Sequence, residues 1–434
     1  MRNDSRTMRT FLGILLLLNL QVFSQNPANE QTKSILLIGA NAHLGNGEVI
    51  PKSAIGFKDG KIDMVLNSFD IRIDSSSYDT IIHLEGKEIY PGFISPNSKL
   101  GLVEIDAVRA TRDFDDVGKF NSHVRSLAAY NTESRITSTV RTNGVLIAQI
   151  TPKGGFISGN SSIMNLEGWN WQDAVVKADD GIHLNWPRMG NPAESDKKKK
   201  TKSEENYLKQ VKEIKDFFAQ AFVYQKVDFH LEKNIRYESM KAVFSKKAKV
   251  YLHANRANEI TDAIYFFDEY NIELVLVGGY DAYLVSELLK DRKIPVLLKR
   301  VHSLPSSQDD DIHLPFKLPY LLNKKGLLVG LQNSGDMDAM GTRNLPFYAG
   351  TSVAYGLEYE QAISMLTINT AKILGIDDEL GSIEVGKRAT LFVSEGDALD
   401  MRTNKVTIAF VDGKNIDLDN PQKQLYRKYS KKYN

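Results

Sequence analysis

The sequence predicts an α/β protein: a (β/α)8 barrel of the TIM type that carries a small β-sandwich domain formed from both chain ends. Three observations predict it. The middle of the chain alternates apolar, strand-like runs with amphipathic helical stretches, which is the pattern of parallel βα units. Both ends instead carry short apolar runs separated by Asn-Gly and Asp-Gly turn signals. The chain has 434 residues, 42% of them apolar and 25% charged, which is ample for one large domain and one small one.

Taken in order, Arg2, Arg6 and Arg9 precede an apolar run at 11–23, and Val22-Phe23-Ser24 offers a small-residue cleavage site. Residues 1–24 therefore read as a secretory signal peptide, with a retained N-terminal anchor as the alternative. No later stretch approaches about 20 uninterrupted apolar residues, so no stable transmembrane segment is expected after cleavage. The expected address is exported, either periplasmic or extracellular. Loss of the leader moves the formal net charge from +1 to −1, a balance that does not suggest nucleic acid. Cysteine is absent, which excludes disulfides, thiolate metal sites, a cysteine nucleophile and a lipid-modified cysteine.

Residues 25–92 form the first part of the small β domain, where S-I-L-L-I-G-A-N-A-H-L-G-N-G-E-V-I and S-A-I-G-F-K-D-G-K-I-D-M-V read as hairpins. Residues 381–417 complete it, with matching runs at 381–393 and 406–416. Between them, 93–380 form the barrel, with candidate strands at 144–151, 249–254, 273–278, 294–299 and 326–331. Tyr207, Val211, Ile214, Phe218 and Phe222 have helical spacing, as does 282–289. The segment 154–162, G-G-F-I-S-G-N-S-S, reads as a loop: it lacks a nucleotide-loop spacing, and Ser158 is in no G-x-S-x-G elbow. The charge run at 194–205 reads as a solvated loop leading into a helix. In the basic tail, 418–434, Tyr426, Tyr429 and Tyr433 have the spacing of a helix that lays its tyrosines on the protein.

The most informative stretch is 86–101, G-K-E-I-Y-P-G-F-I-S-P-N-S-K-L-G. It resembles the strand that opens the catalytic barrel of the amidohydrolase superfamily, whose frame is P-G-hydrophobic-I-D-x-H-x-H. Asn97 and Lys99 stand in the two histidine places. Further blocks extend the resemblance over nearly the whole mature chain: N-S-G-D-M-D-A-M-G-T-R-N-L-P-F-Y-A-G (333–350), T-I-N-T-A-K-I-L-G-I (367–376) and G-S-I-E-V-G-K (381–387). The imidazolonepropionase-like branch is the most similar. Arg388 and Thr390 replace acidic residues of the family's G-K-D-A-D-L.

The resemblance implies a divalent metal, zinc first among the choices, with an incomplete ligand set. His253 in Y-L-H-A-N matches the fifth-strand ligand, with a histidine hydrogen-bonded inside the barrel mouth as the structural alternative. Gly278 and Gly279 fall where a sixth-strand histidine is expected. His302 is a replacement ligand candidate, and Asn97 offers only a carbonyl oxygen. Asp336 lies at the position of the family's proton-shuttling aspartate. A protonated lysine has no lone pair and repels a cation, so Lys99 departs from metal chemistry altogether. Arg109, Arg112, Arg343 and Asn344 are candidates to line the pocket.

Three functions follow, all taking a small-molecule substrate or ligand and all compatible with a homo-oligomer. One is a metal-dependent hydrolase of C–N (amide) bonds in non-peptide or small-peptide substrates, with an altered metal site built on His253 and Asp336. The second is a non-catalytic envelope binding protein that uses Lys99 to hold an anionic ligand. The third is metal-free chemistry by a deprotonated Lys99 acting as base or Schiff-base nucleophile.

Overall fold

A computed structural model describes residues 26–70, 77–190, 197–227 and 229–433. The expected signal peptide, and the part of the charge run at 194–196, lie outside the described residues. Seven strands precede the barrel: β1 (Ile35–Ile38), β2 (Asn41–His43), β3 (Val49–Ile50), β4 (Ser53–Lys58), β5 (Lys61–Asn67), β6 (Thr80–His83) and β7 (Glu88–Pro91). The barrel strands are β8 (Phe93–Ser98), β9 (Val145–Ile150), β10 (Ile157–Asn165), β11 (Val175–Asn185), β12 (Lys249–Ala254), β13 (Leu274–Gly278), β14 (Val296–Leu298) and β15 (Val329–Leu331). The last three are β16 (Leu391–Ser394), β17 (Val406–Val411) and β18 (Lys414–Asn415).

Both ends build the small β domain. One sheet has the order β5-β4-β1-β6; the other, β18-β17-β16-β7-β2-β3, joins strands from the two ends through the β16–β7 pairing. Their apolar faces share a core that includes Leu37, Ile55, Phe57, Ile89, Leu391 and Phe410. Only one residue, Gly92, separates β7 from the first barrel strand. A Cβ at Gly92 would lie 3.0 Å from Leu146 and Thr390, so the small residue lets the chain pass tightly between the domains.

The eight barrel strands lie side by side in chain order. Alternation decides what each contributes. On β12, Val250 and Leu252 pack into the large cluster under the helical layer, so Tyr251 and His253 project to the other face. On β11 the same parity sends Ile182 and Leu184 outward and His183 inward. Ile94, Ile147, Ile163 and Leu297 form an inner cluster that Ala371, Ile373 and Leu374 of the helix Ile368–Leu374 help to cover.

The sheet departs from uniform βα repetition at β10, which is antiparallel to both β9 and β11. This corrects the expected loop at 154–162, most of which is the start of β10. All nine residues of β10 are buried, and its Gly-Ser-Asn content serves the interior. Ser161 Oγ donates to Asp180 Oδ1 (2.7 Å), Asn160 Nδ2 donates to the Ser122 carbonyl (2.6 Å), and Gly159 at φ +135° accompanies a shift of register. Loop-forming composition here describes a bulged strand.

Two helical expectations also change. The stretch at 282–289 becomes turns followed by a short helix, Ser286–Asp291. The terminal helix, Pro421–Ser430, does form, but Tyr426, Tyr429 and Tyr433 are exposed rather than laid on the protein. It is fixed at its start instead, where Asn420 Oδ1 caps Lys423 N (2.8 Å) and Thr139 Oγ1 donates to Gln422 Oε1 (2.8 Å).

Candidate functional site

The carboxyl ends of the barrel strands surround a cavity of about 540 Å³. Its wall includes Asn97 at the end of β8, His253 on β12, Gly278 ending β13 and Gln332 just past β15. Each arrives by strand alternation or by the turn that follows a strand, the geometry that concentrates functional groups at one end of such barrels.

Asn97 is the hub. It is buried and sits at φ +52°, a left-handed conformation that asparagine tolerates better than most residues. That kink interrupts the regular register between β8 and β9. The Asn97 backbone N–H donates to Gln149 Oε1 (3.0 Å), its Nδ2 donates to Gln332 Oε1 (2.5 Å), and its Oδ1 accepts from Lys153 Nζ (2.5 Å). Gln332 is held in turn by donating to the Leu297 carbonyl (2.7 Å).

Asn97 and Lys99, which stand in the two histidine places of the first-strand frame, take different partners. The Lys99 ammonium lies 3.1 Å from Asp338 Oδ1 and 3.7 Å from Asp106 Oδ1, over the Phe114 ring at 4.4 Å. The ammonium against Asn97 belongs to Lys153, three residues beyond β9. Burial pulls the Lys153 pKa down to about 8, with the Asp338 carboxylate opposing this and Lys99 adding to it.

His253 does reach the mouth, where it meets His183: Nδ1 of His183 and Nε2 of His253 are 2.8 Å apart. One must donate and the other accept, so the contact requires complementary protonation of those two nitrogens. Burial drives both imidazoles well below their ordinary pKa; His183 is lowered further by His253 and Lys153, and His253 by Lys153. The pair is neutral at neutral pH. Beneath it, Tyr251 stacks on His183 with ring centroids 4.6 Å apart and donates to the buried Asp180 (2.5 Å). Burial raises the Asp180 pKa against hydrogen bonds from Tyr251, Ser161 and Gln149.

The other sequence candidates lie elsewhere. Asp336 is exposed, and the buried carboxylate of this loop is Asp338, whose pKa burial raises against the pull of Lys153 and Lys99. His302 bonds to Thr351 Oγ1 (2.7 Å) and lines a separate cavity of about 440 Å³ on the helical side. Arg109 and Arg343 are exposed and, with Asn344, stand outside the wall of the mouth cavity. Sequence reasoning missed Gln149, Lys153, His183, Gln332 and Asp338. Parity along β11 was the available signal for His183, whereas Lys153 is marked only by its contact with Asn97.

The donor set does not suit a divalent metal. Among the described residues no group of three or more His, Cys, Asp or Glu is arranged to hold one. Asn97 Oδ1 already accepts from an ammonium, which would repel a cation placed beside it. The sixth-strand place is closed by the backbone: Gly278 has φ +105°, and a Cβ there would lie 2.8 Å from Asn255 Oδ1 and 3.0 Å from the Ala254 carbonyl oxygen.

The Amidohydrolase family model matches residues 324–416. Among solved structures, an amidohydrolase from Thermotoga maritima MSB8 is similar, with 25% identity and a TM-score of 0.76 over 88% of this chain and 99% of that one. A Xaa-Pro dipeptidase with bound methionine in its active site has 13% identity and a TM-score of 0.55, over 88% and 100% of the two chains. An adenosine deaminase from Xanthomonas campestris with bound zinc has 14% identity and a TM-score of 0.52, over 91% and 97%. No curated protein sequence gives a significant match. The fold of the chain is that of the amidohydrolases, and its carboxyl-terminal part carries the match to the Amidohydrolase family model.

Proposed function

We propose that this chain is an exported hydrolase of the amidohydrolase kind, cleaving a C–N bond in a small amide or peptide from an altered barrel mouth. The observation that carries this reading is the convergence of Lys153, Asn97, Gln332 and His253 at the catalytic end of an amidohydrolase fold. In this reading the Lys153 ammonium, held against Asn97 of the first barrel strand, supplies the positive charge of the site. Below about pH 8 it is charged, and it can stabilise the oxyanion that forms when water adds to the carbonyl carbon. Neutral His253 is the group able to take the proton from that water and return it to the leaving nitrogen as the C–N bond breaks.

A panel of amides, cyclic amides and dipeptides tests this, assayed with and without added zinc, manganese or cobalt. Turnover by the metal-free protein, reduced about 100-fold or more by Lys153→Met and by His253→Gln, supports it. Failure on every member of the panel rejects it.

A second reading, a non-catalytic binding protein, is favoured by one observation. Lys153 is held by Asn97, Lys99 by Asp338, and His183 by His253, so each reactive group of the mouth has a protein partner. Ligand binding without turnover is its signature. In that case Lys153, rather than Lys99, is the cation set against the ligand.

A further inference from the structure

The mouth cavity has a second feature that the amide chemistry does not use. Arg188 follows β11, while Lys299 and Arg300 directly follow β14, and all three belong to the cavity wall. Among the described residues, none of the three forms an ion pair with a carboxylate. Glu259 is the one carboxylate of that wall, and it is committed to backbone N–H groups: Oε1 accepts from Met189 N (3.0 Å) and Oε2 from Arg256 N (3.2 Å).

The cations are close enough to disturb one another. Burial lowers the Lys299 pKa, and Arg300, Arg188 and Arg256 lower it further. Its ammonium lies 5.1 Å above the Tyr280 ring, which gives only weak compensation. On the same wall, Ser303 Oγ is buried with no hydrogen-bond partner. The Arg300 backbone N–H is turned to Ser334 Oγ (3.3 Å), which fixes the start of the loop that carries the guanidinium. Clustered like charges in a concave, partly buried wall are costly unless a ligand of opposite sign completes them.

We propose that Arg188, Lys299 and Arg300 form an anion subsite on the cavity wall, so that the ligand is an acidic amide: a small C–N compound bearing an additional carboxylate or phosphate group. This rests on the placement of the amide at the barrel mouth, but its readout is binding rather than turnover. The guanidinium and ammonium groups supply donors and charge, and Ser303 Oγ supplies a hydroxyl able to turn toward an anionic oxygen.

The experiment is calorimetric titration of the purified protein with the α-carboxamides of N-acetyl-L-glutamate and N-acetyl-O-phospho-L-serine and with the neutral N-acetyl-L-glutamine α-carboxamide. The expected result is that at least one acidic amide binds about tenfold or more tightly than the neutral one. That preference is expected to fall with added salt and to collapse in Lys299→Gln and in Arg300→Gln. Lys153→Met is expected to weaken all ligands while keeping the preference. Whichever acidic ligand leads decides between carboxylate and phosphate. Equal or absent binding of acidic and neutral amides by the wild type, or a preference unchanged in folded Lys299→Gln and Arg300→Gln proteins, overturns the proposal. Acidic selectivity without turnover leaves the subsite standing and removes the hydrolase reading alone.

Discussion

Gly278 and Lys153 show how single residues shape the barrel mouth. Gly278 was legible in the sequence as a missing ligand, but only its backbone shows that the loss is structural. With φ at +105° and the Ala254 carbonyl oxygen 3.0 Å from any Cβ, an imidazole cannot return by substitution. Gly278→His is therefore expected to cost about 1–3 kcal/mol of stability and to restore no zinc binding, as read by denaturant titration and elemental analysis. Lys153 was not legible as a site residue, because nothing local to T-P-K-G-G marks it; contact with Asn97 across the mouth does. With its pKa near 8, its positive charge is present below that pH and lost above it. Affinity for an anionic ligand should fall about tenfold between pH 7 and pH 9. Lys153→Arg, which stays charged, should flatten that profile in calorimetric titrations at several pH values; a wild-type profile flat across the same range would remove Lys153 from the binding site.

At the scale of elements, the contact between β2, β7 and the helix Tyr359–Leu366 behaves as a charged latch between the small domain and the barrel. His43 Nδ1 lies 2.7 Å from Glu360 Oε1 and its Nε2 lies 3.2 Å from Glu88 Oε2, while its ring stacks on Tyr90 at 4.5 Å. Burial alone would lower the His43 pKa, but the hydrogen bonds and charges of Glu360 and Glu88 outweigh it and raise the value to about 9. The folded state thus holds this proton more tightly than the unfolded chain. The stabilisation is full below pH 6.5 and is lost as pH rises through about 9. Its upper size is on the order of 3 kcal/mol. His43→Gln should remove that decline, seen as the difference between wild-type and variant denaturation midpoints from pH 6 to pH 10. The His183–His253 pair acts in the opposite sense. With folded pKa values depressed below 6.5, it destabilises the fold as pH falls, so the difference measurement is needed to isolate His43. The same scale explains the main misreading of the sequence. Strands such as β12 announce themselves by alternation, whereas β10 is buried throughout and bonds its serines and Asn160 within the protein, a state that composition alone cannot distinguish from a loop.

Across the whole molecule, both the two-ended β domain and the barrel were legible, because turn signals and strand periodicity are local properties that the fold left intact. The mouth was only partly legible. Asn97 and His253 lie on readable strands, but Asp338, Lys153 and Gln332 matter through contacts between positions far apart in sequence. Together they give the barrel mouth an internal ammonium and a network of hydrogen bonds between side chains. This has a consequence for the whole chain. Where a metal holds several strand ends together, its removal loosens the fold, since binding energy contributes directly to folding energy. Here the side chain of Asn97 joins β8 to Lys153 and Gln332, and Asp338 joins the last barrel loop to Lys99. Protein purified without chelator is therefore expected to contain well below one zinc, manganese or cobalt per chain, and its thermal midpoint should shift by less than about 1 °C in excess EDTA. Asn97→Ala should do what the chelator does not. By leaving the Lys153 ammonium and Gln332 Oε1 short of partners inside the mouth, it should lower stability by about 1–3 kcal/mol. A stoichiometric metal lost on His253→Ala would instead mean that the histidine pair separates to bind an ion, and the ammonium-for-metal account of the site would fall.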